Sequence, residues 1–165
     1  MKIANRMENL SPSVTLAITA LARELKAQGK DILSFSAGEP DFDTPEIIKQ
    51  AAIKAINNGH TKYTAVEGII ATKQAIINKL KKDHGLEYKL DGIVISNGAK
   101  HSLFNLFQVL IEKGDEVIIP APYWVTYPEQ VKFSDGVPVF IETDDSTDFK
   151  ITAEQLKAAI TPKTK

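Results

Sequence analysis

The spacing of apolar residues along the chain predicts short strands alternating with helices. Runs of apolar, largely β-branched residues bounded by glycine, asparagine or proline predict a buried strand at residues 93–95 and further strands at 116–119 and 137–141. A short strand is also predicted at 32–35. Beyond Lys100 the period changes, because apolar residues recur at intervals of three and four. That period predicts an amphipathic helix whose apolar positions are Leu103, Leu106, Phe107, Leu110 and Ile111.

Other helices are indicated by their start and stop signals. Ser11-Pro12-Ser13 is a helix start, and the periodic stretch after it ends at Gly29. A second helix is predicted with Thr44 as its N-cap and Pro45 at its first position, and Asn57-Asn58-Gly59 ends it. Further helices are expected at residues 69–80 and 127–133, and a last one follows Thr152 as its N-cap. Strands that alternate with helices predict a doubly wound α/β fold with parallel, right-handed crossovers.

Composition and charge narrow the function classes. Twenty basic and 21 acidic residues give a net charge of −1, which offers no field for nucleic acid or an anionic membrane. No apolar run approaches the ~20 residues of a membrane span, and no signal-peptide core follows the first residues. Without cysteine, disulfides and thiol catalysis are excluded, and the three histidines lack metal-ligand spacing. A cytoplasmic enzyme without a metal site is expected.

The turn between the strand at 93–95 and the following helix is a candidate anion site. Its sequence is Ser96-Asn97-Gly98-Ala99-Lys100. The first N–H groups of a helix have no partners within it, and the helix dipole favours negative charge there. Neither the dinucleotide fingerprint nor the P-loop pattern is present. An ordinary turn without a ligand is therefore the alternative.

A second candidate follows the strand at 116–119. Pro120 and Pro122 stiffen the chain there and precede Trp124, the only tryptophan. In open α/β sheets ligands bind beyond the carboxyl ends of the strands. A flat side chain at that edge can stack on a planar cofactor, although packing in the core is the alternative for a single tryptophan.

Four motifs together resemble those of the class I pyridoxal-phosphate aminotransferases. The likeness is strongest to the bacterial branch that acts on aspartate, whose relatives also accept prephenate. The motifs follow the family's order across nearly the whole chain. They are Ser34-Phe35-Ser36-Ala37-Gly38-Glu39-Pro40-Asp41-Phe42-Asp43-Thr44-Pro45, Thr61-Lys62-Tyr63, Ser96-Asn97-Gly98-Ala99-Lys100 and Pro120-Ala121-Pro122-Tyr123-Trp124-Val125-Thr126-Tyr127-Pro128.

The resemblance implies the large domain of the fold type I enzymes that bind pyridoxal phosphate (PLP). That domain has a mostly parallel sheet with helices on both faces, incomplete here at its carboxyl end. Residues 1–44 would form an amino-terminal arm and a small-domain segment, and residues 45–165 the first part of the large domain. The family also implies a homodimer with shared active sites, in which the arm reaches the partner.

The family's site residues transfer to matching positions. Gly98, Ala99 and Lys100 would hold the cofactor phosphate, with Ser96 nearby, and Trp124 would stack on the cofactor ring and border the substrate. Ala99 departs from many relatives, which have a second glycine there, but its side chain is small. Gly38 would face the substrate's α-carboxylate, and Lys100 could also reach the distal carboxylate of the substrate. Tyr63 would bind the cofactor phosphate of the neighbouring subunit.

The resemblance implies that the catalytic lysine lies beyond residue 165, so no catalytic residue is assigned within the chain. The expected reaction moves an amino group between aspartate or glutamate and a 2-oxo acid, and the 165-residue chain alone is expected to be inactive. Two alternatives stay open. One is an aminotransferase for aromatic or neutral amino acids, and the other is a catalytically inactive fragment that binds or regulates.

Overall fold

The structure is a computed structural model that describes residues 2–35, 38 and 40–165. Contacts between Cα atoms divide the chain into two compact units, one of residues 1–37 and 98–165 and one of residues 38–97. Three positions of the first motif, Ser36, Ala37 and Glu39, lie outside the described residues. The domain boundary predicted after residue 44 concerns the complete family fold and stays a prediction.

A parallel pair of strands forms the centre of the first unit. Strand β1 (Glu116–Pro120) pairs with β2 (Val137–Ile141) in a register that places Glu116 opposite Val137 and Pro120 opposite Ile141. An isolated parallel bridge joins Glu116 to Thr164. The expected α/β class with parallel pairing is therefore confirmed, and both strands end at the same edge.

Four α-helices belong to the described part of this unit. They are α1 (Val14–Ala27), α4 (Ala99–Leu110), α5 (Thr126–Phe133) and α6 (Ala153–Ala159). Helix α5 contacts α4 and both strands, whereas α6 contacts β2. Val131 of α5 is completely buried, and Ile119 and Ile141 of the strands are nearly so. The core of the unit thus lies between α5 and the sheet.

The second unit contains α2 (Glu46–Asn57) and α3 (Ile70–His84). Lys73 on α3 is only 5% exposed, and its Nζ lies 4.0 Å from the carboxylate of Glu67. Next to that glutamate, Gly68 has φ +101°, and a Cβ there would lie 2.3 Å from the Ile95 side chain. A glycine is required at this position for both its backbone conformation and its space.

Short 3-10 helices complete the described elements, at Asn5–Met7, Leu90–Gly92 and Asp145–Thr147. The first of them packs on α5, where the Arg6 guanidinium lies 5.6 Å from the centre of the Phe133 ring. The Ser11 N–H donates to Glu129 Oε2 at 2.9 Å. The arm therefore contacts α5 of its own chain, and its reach to a partner stays a prediction. Among the described residues, no helix has the length and apolar character needed to cross a bilayer.

The predicted start of α1 and the predicted cap of α6 are confirmed, and the predicted cap of α2 is wrong. Ser13 accepts a hydrogen bond from the Leu16 N–H, and Thr152 forms a reciprocal capping box with Gln155. Thr44 was expected to cap a helix that starts at Pro45. Instead Pro45 itself is the N-cap, because its ψ of 139° is extended, and α2 begins one residue later. Helix α3 also continues past residue 80 to His84, where Gly85 ends it in a left-handed conformation.

The strands predicted at residues 93–95 and 32–35 are wrong. A strand requires a neighbour that exchanges backbone hydrogen bonds with it, and neither segment has a strand partner among the described residues. The Ile95 N–H instead donates to the Glu67 carbonyl at 2.9 Å, and the Ile93 N–H donates to the Leu90 carbonyl at 3.3 Å. The apolar residues at 93–95 were expected to be buried, and of the three only Ile93 is buried.

Candidate functional site

The segment Gly98–Lys100, called here the Gly98 turn, begins α4 with exposed backbone N–H groups. Gly98 is the N-cap, with φ 83° and ψ 164°, a conformation that is essentially restricted to glycine. No side chain caps the helix. Among the described residues, neither the Ala99 nor the Lys100 N–H donates to a backbone carbonyl. These groups are therefore available to an anion, as the sequence predicts.

The Lys100 side chain extends from this turn to Trp124. Its ammonium lies 4.9 Å from the centre of the indole ring, close enough for a cation–π interaction. In the described part of the chain, no carboxylate lies within 4.0 Å of this ammonium. The tertiary structure thus brings together two predicted site residues that are 24 positions apart in sequence.

Trp124 lies beside an open apolar cavity of about 630 Å³. Trp124 is 46% exposed. The walls come from α4, β1, the segment after β1 and the first turn of α5, and include Leu103, Phe107, Ile118 and Tyr127. A flat ring that stacks on Trp124 would also contact these apolar side chains.

A buried glutamine joins the two elements that hold these groups. Gln130 on α5 donates from Nε2 to the Lys100 carbonyl at 2.9 Å. Farther along the same two helices, Gln108 Nε2 donates to Ser134 Oγ at 2.7 Å. Gln130 Oε1 has no partner among the described residues. The first turn of α4 is therefore held against α5 by a side-chain hydrogen bond.

The carboxyl end of β2 supports the segment that presents Trp124. The Thr143 hydroxyl donates to the Ala121 carbonyl, and the Ala121 N–H donates to the Ile141 carbonyl at 2.8 Å. The rings of Tyr123 and Phe140 are stacked, with centroids 4.9 Å apart and planes inclined by 19°. Sequence analysis missed Gln130, Thr143 and Phe140, because their partners are distant in sequence and no local motif marks them.

The other predicted residues lie in the second unit. Gly38 and Tyr63 are both exposed, and the Tyr63 side chain is fully so. Ser96 also belongs to this unit and is half-buried. Each is accessible to a ligand or a partner subunit, and their predicted roles stay predictions.

Two exposed carboxylates have a lowered pKa. The pKa of Asp144 is lowered by hydrogen bonds from the side chain and the backbone N–H of Ser146, and this pair lies in an exposed turn after β2. The pKa of Glu46 on α2 is lowered by hydrogen bonds from Gln50 and Lys49. Among the described residues, no cluster of histidine and carboxylate side chains could hold a metal.

These features fit pyridoxal phosphate in three respects. The uncapped N-terminus of α4 suits a phosphate, Lys100 adds positive charge beside it, and half-exposed Trp124 offers an aromatic face for a pyridine ring. Ala99 is the first residue of α4. Its methyl side chain is small and leaves the turn open.

Comparison with known proteins agrees with this interpretation. Residues 30–165 match the family model described as aminotransferase class I and II. The chain is 58% identical over 165 residues to an aspartate aminotransferase of Geobacillus stearothermophilus and 55% identical over 165 residues to an aspartate/prephenate aminotransferase of Nitrosomonas europaea. Each alignment covers 100% of this chain and 42% of the relative.

A solved structure shows the same fold. The aspartate aminotransferase of Thermus thermophilus with maleate superimposes with a TM-score of 0.95 at 43% identity, over 100% of this chain and 43% of that one. The chain thus spans about two-fifths of the length of the relatives it matches. Because the family model matches residues 30–165, most of the chain, this protein belongs to the class I and II aminotransferase family.

Proposed function

We propose that this chain supplies the cofactor-phosphate and ring contacts of a PLP-dependent aminotransferase that exchanges an amino group between aspartate or glutamate and a 2-oxo acid. The observation that supports it most is the cluster of the Gly98 turn, Lys100 and Trp124 at the edge where β1 ends. The names of the relatives support the substrate class.

Each residue has a distinct role in this proposal. The Ala99 and Lys100 N–H groups bind the phosphate, and Trp124 stacks on the pyridine ring. When bound, PLP supplies the electron sink that transamination requires. Gly38 allows the substrate carboxylate to approach the backbone, and the Tyr63 hydroxyl binds the phosphate in the neighbouring subunit of a cytoplasmic homodimer. Exposure of Tyr63 is consistent with that contact.

The proposal assigns no proton-transferring residue to this chain. Transamination requires a lysine that is bonded to the cofactor and then moves the substrate proton. Lys100 lies against Trp124, and buried Lys73 is paired with Glu67, so neither has the setting of that lysine. From the family resemblance, this lysine is proposed to lie outside residues 1–165, and the 165-residue chain alone is proposed to be inactive.

Lys100 is proposed to select acidic substrates. Its ammonium has no carboxylate partner within the described residues, so a substrate's distal carboxylate can bind there without displacing an ion pair. A charge-assisted hydrogen bond contributes about 1.5–3 kcal/mol, which corresponds to roughly one to two powers of ten in affinity.

The test is Lys100→Ser in the full-length enzyme. We expect kcat/KM for aspartate and glutamate to fall by about 10- to 100-fold, while the values for phenylalanine and alanine change little. Lys157→Ser on α6 is the matched control, because it removes an equivalent helical lysine away from the Gly98 turn. Equal losses for acidic and neutral amino acids, with cofactor lost on dialysis, would instead assign Lys100 to the phosphate.

A further inference from the structure

The segment Pro120–Trp124, called here the Trp124 segment, has few backbone hydrogen-bond donors. Proline has no N–H, so Pro120 and Pro122 cannot donate backbone hydrogen bonds. Ala121 is the one residue between them that has both a donor and an acceptor. Both of its groups are used: the N–H donates to the Ile141 carbonyl at 2.8 Å, and the carbonyl accepts from the Thr143 hydroxyl.

Of the two hydrogen bonds of Ala121, only one can be removed by substituting a side chain. The bond to Ile141 is made by two backbone groups at the end of β2, so no side-chain change deletes it directly. The second bond depends on a single hydroxyl, that of Thr143, which lies two residues after β2 ends. Stacking of Tyr123 on Phe140 adds an apolar contact between the same two segments.

We propose that Thr143 is a positioning residue for Trp124, and that its hydroxyl fixes the Trp124 segment against the end of β2 so that the indole ring stays at the edge of the apolar cavity. Thr143 does not line that cavity and acts through Ala121. The part that concerns cofactor binding rests on the proposed function. The part that concerns the position of Trp124 does not.

A distant threonine offers a matched control. Thr161 Oγ1 donates to Glu116 Oε2 at 2.6 Å, at the opposite end of β1. Thr161→Val and Thr143→Val each replace one hydroxyl by a methyl group without changing side-chain shape. Thr143→Ser keeps the hydroxyl, and it should preserve the bond to Ala121.

The experiment uses the fluorescence of Trp124, which is the only tryptophan in the 165-residue chain. Acrylamide quenching and emission anisotropy are measured for the unmodified chain and the three variants, with circular dichroism as a check on folding. Loss of one hydrogen bond should raise the population of the released segment about fivefold, equivalent to about 1 kcal/mol. Because loop motion occurs on the nanosecond timescale, anisotropy should fall.

We expect stronger quenching and lower anisotropy in Thr143→Val alone, with Thr143→Ser and Thr161→Val resembling the unmodified chain. The proposal would be overturned if Thr143→Val left both quantities unchanged, or if Thr161→Val changed them equally. Emission from the unmodified chain that already matches free tryptophan would also overturn it, because the segment would then not be held.

A second measurement separates this inference from the proposed function. In the full-length enzyme, the PLP dissociation constant should rise for Thr143→Val and recover in Thr143→Ser, since the ring contact is populated less often. The rise is at most about fivefold, because the apparent constant varies inversely with the fraction of the segment that is held. If Trp124 becomes mobile but PLP affinity is unchanged, the cofactor role of Trp124 is wrong while its positioning by Thr143 stands.

Discussion

Replacement of Gly98 by alanine isolates the contribution of one backbone conformation to the proposed phosphate site. Gly98 has φ 83° and ψ 164°, and an added Cβ would meet no atom within 4 Å. The penalty is therefore in the backbone and not in a steric clash. Residues held in such a conformation cost about 1–3 kcal/mol each when they are not glycine. Gly98→Ala should lower the unfolding free energy by that amount or force the turn to change.

Either response is measurable. If the turn keeps its shape, urea unfolding should show a midpoint lower by about 1 M, taking a slope of 1–3 kcal/mol per molar. If the turn instead relaxes to negative φ, the Ala99 N–H changes direction and phosphate binding weakens. Titration of the full-length enzyme with PLP and with inorganic phosphate should then show a higher dissociation constant for both.

Gly29→Ala is the control for this prediction. Gly29 follows α1 in the same unit, has φ +79° and also has no atom near its Cβ position. It should cost about 1–2 kcal/mol of stability, as expected for a left-handed residue that gains a side chain, and leave phosphate and PLP binding unchanged. A Gly98→Ala protein with both normal stability and normal binding would refute the reasoning.

Two further predictions concern the cofactor. Trp124→Ala should weaken PLP binding by roughly tenfold or more, because stacking of a nucleic-acid base on an aromatic side chain contributes about 1–3 kcal/mol. A lower melting temperature with unaltered PLP affinity would favour a purely structural tryptophan. Borohydride reduction of the 165-residue chain with PLP, followed by peptide mapping, should trap no stoichiometric adduct at a single lysine, and an adduct at Lys100 or Lys73 would identify the missing amine within the chain.

Local interactions along the chain determined a large part of this structure. The hydrophobic period placed α4 and α5 within a residue or two, and the Thr152 side chain caps α6 as predicted. Helix α1 begins directly after the predicted start Ser11-Pro12-Ser13. The Asn97-Gly98 pair predicted the turn that leads into α4, and Gly98 is the N-cap of that helix. Such features depend on neighbours within four residues, and a sequence pattern therefore reports them directly.

Long-range contacts were decided by the tertiary structure. The apolar run at 93–95 has strand-like composition, yet a strand also needs a partner, and the Ile95 N–H bonds to Glu67 instead. The cation–π contact of Lys100 with Trp124 and the hydroxyl bond of Thr143 to Ala121 join residues 24 and 22 positions apart. These groups meet only after β1 and β2 have paired and α5 has packed on both strands, because that packing sets the distances between them.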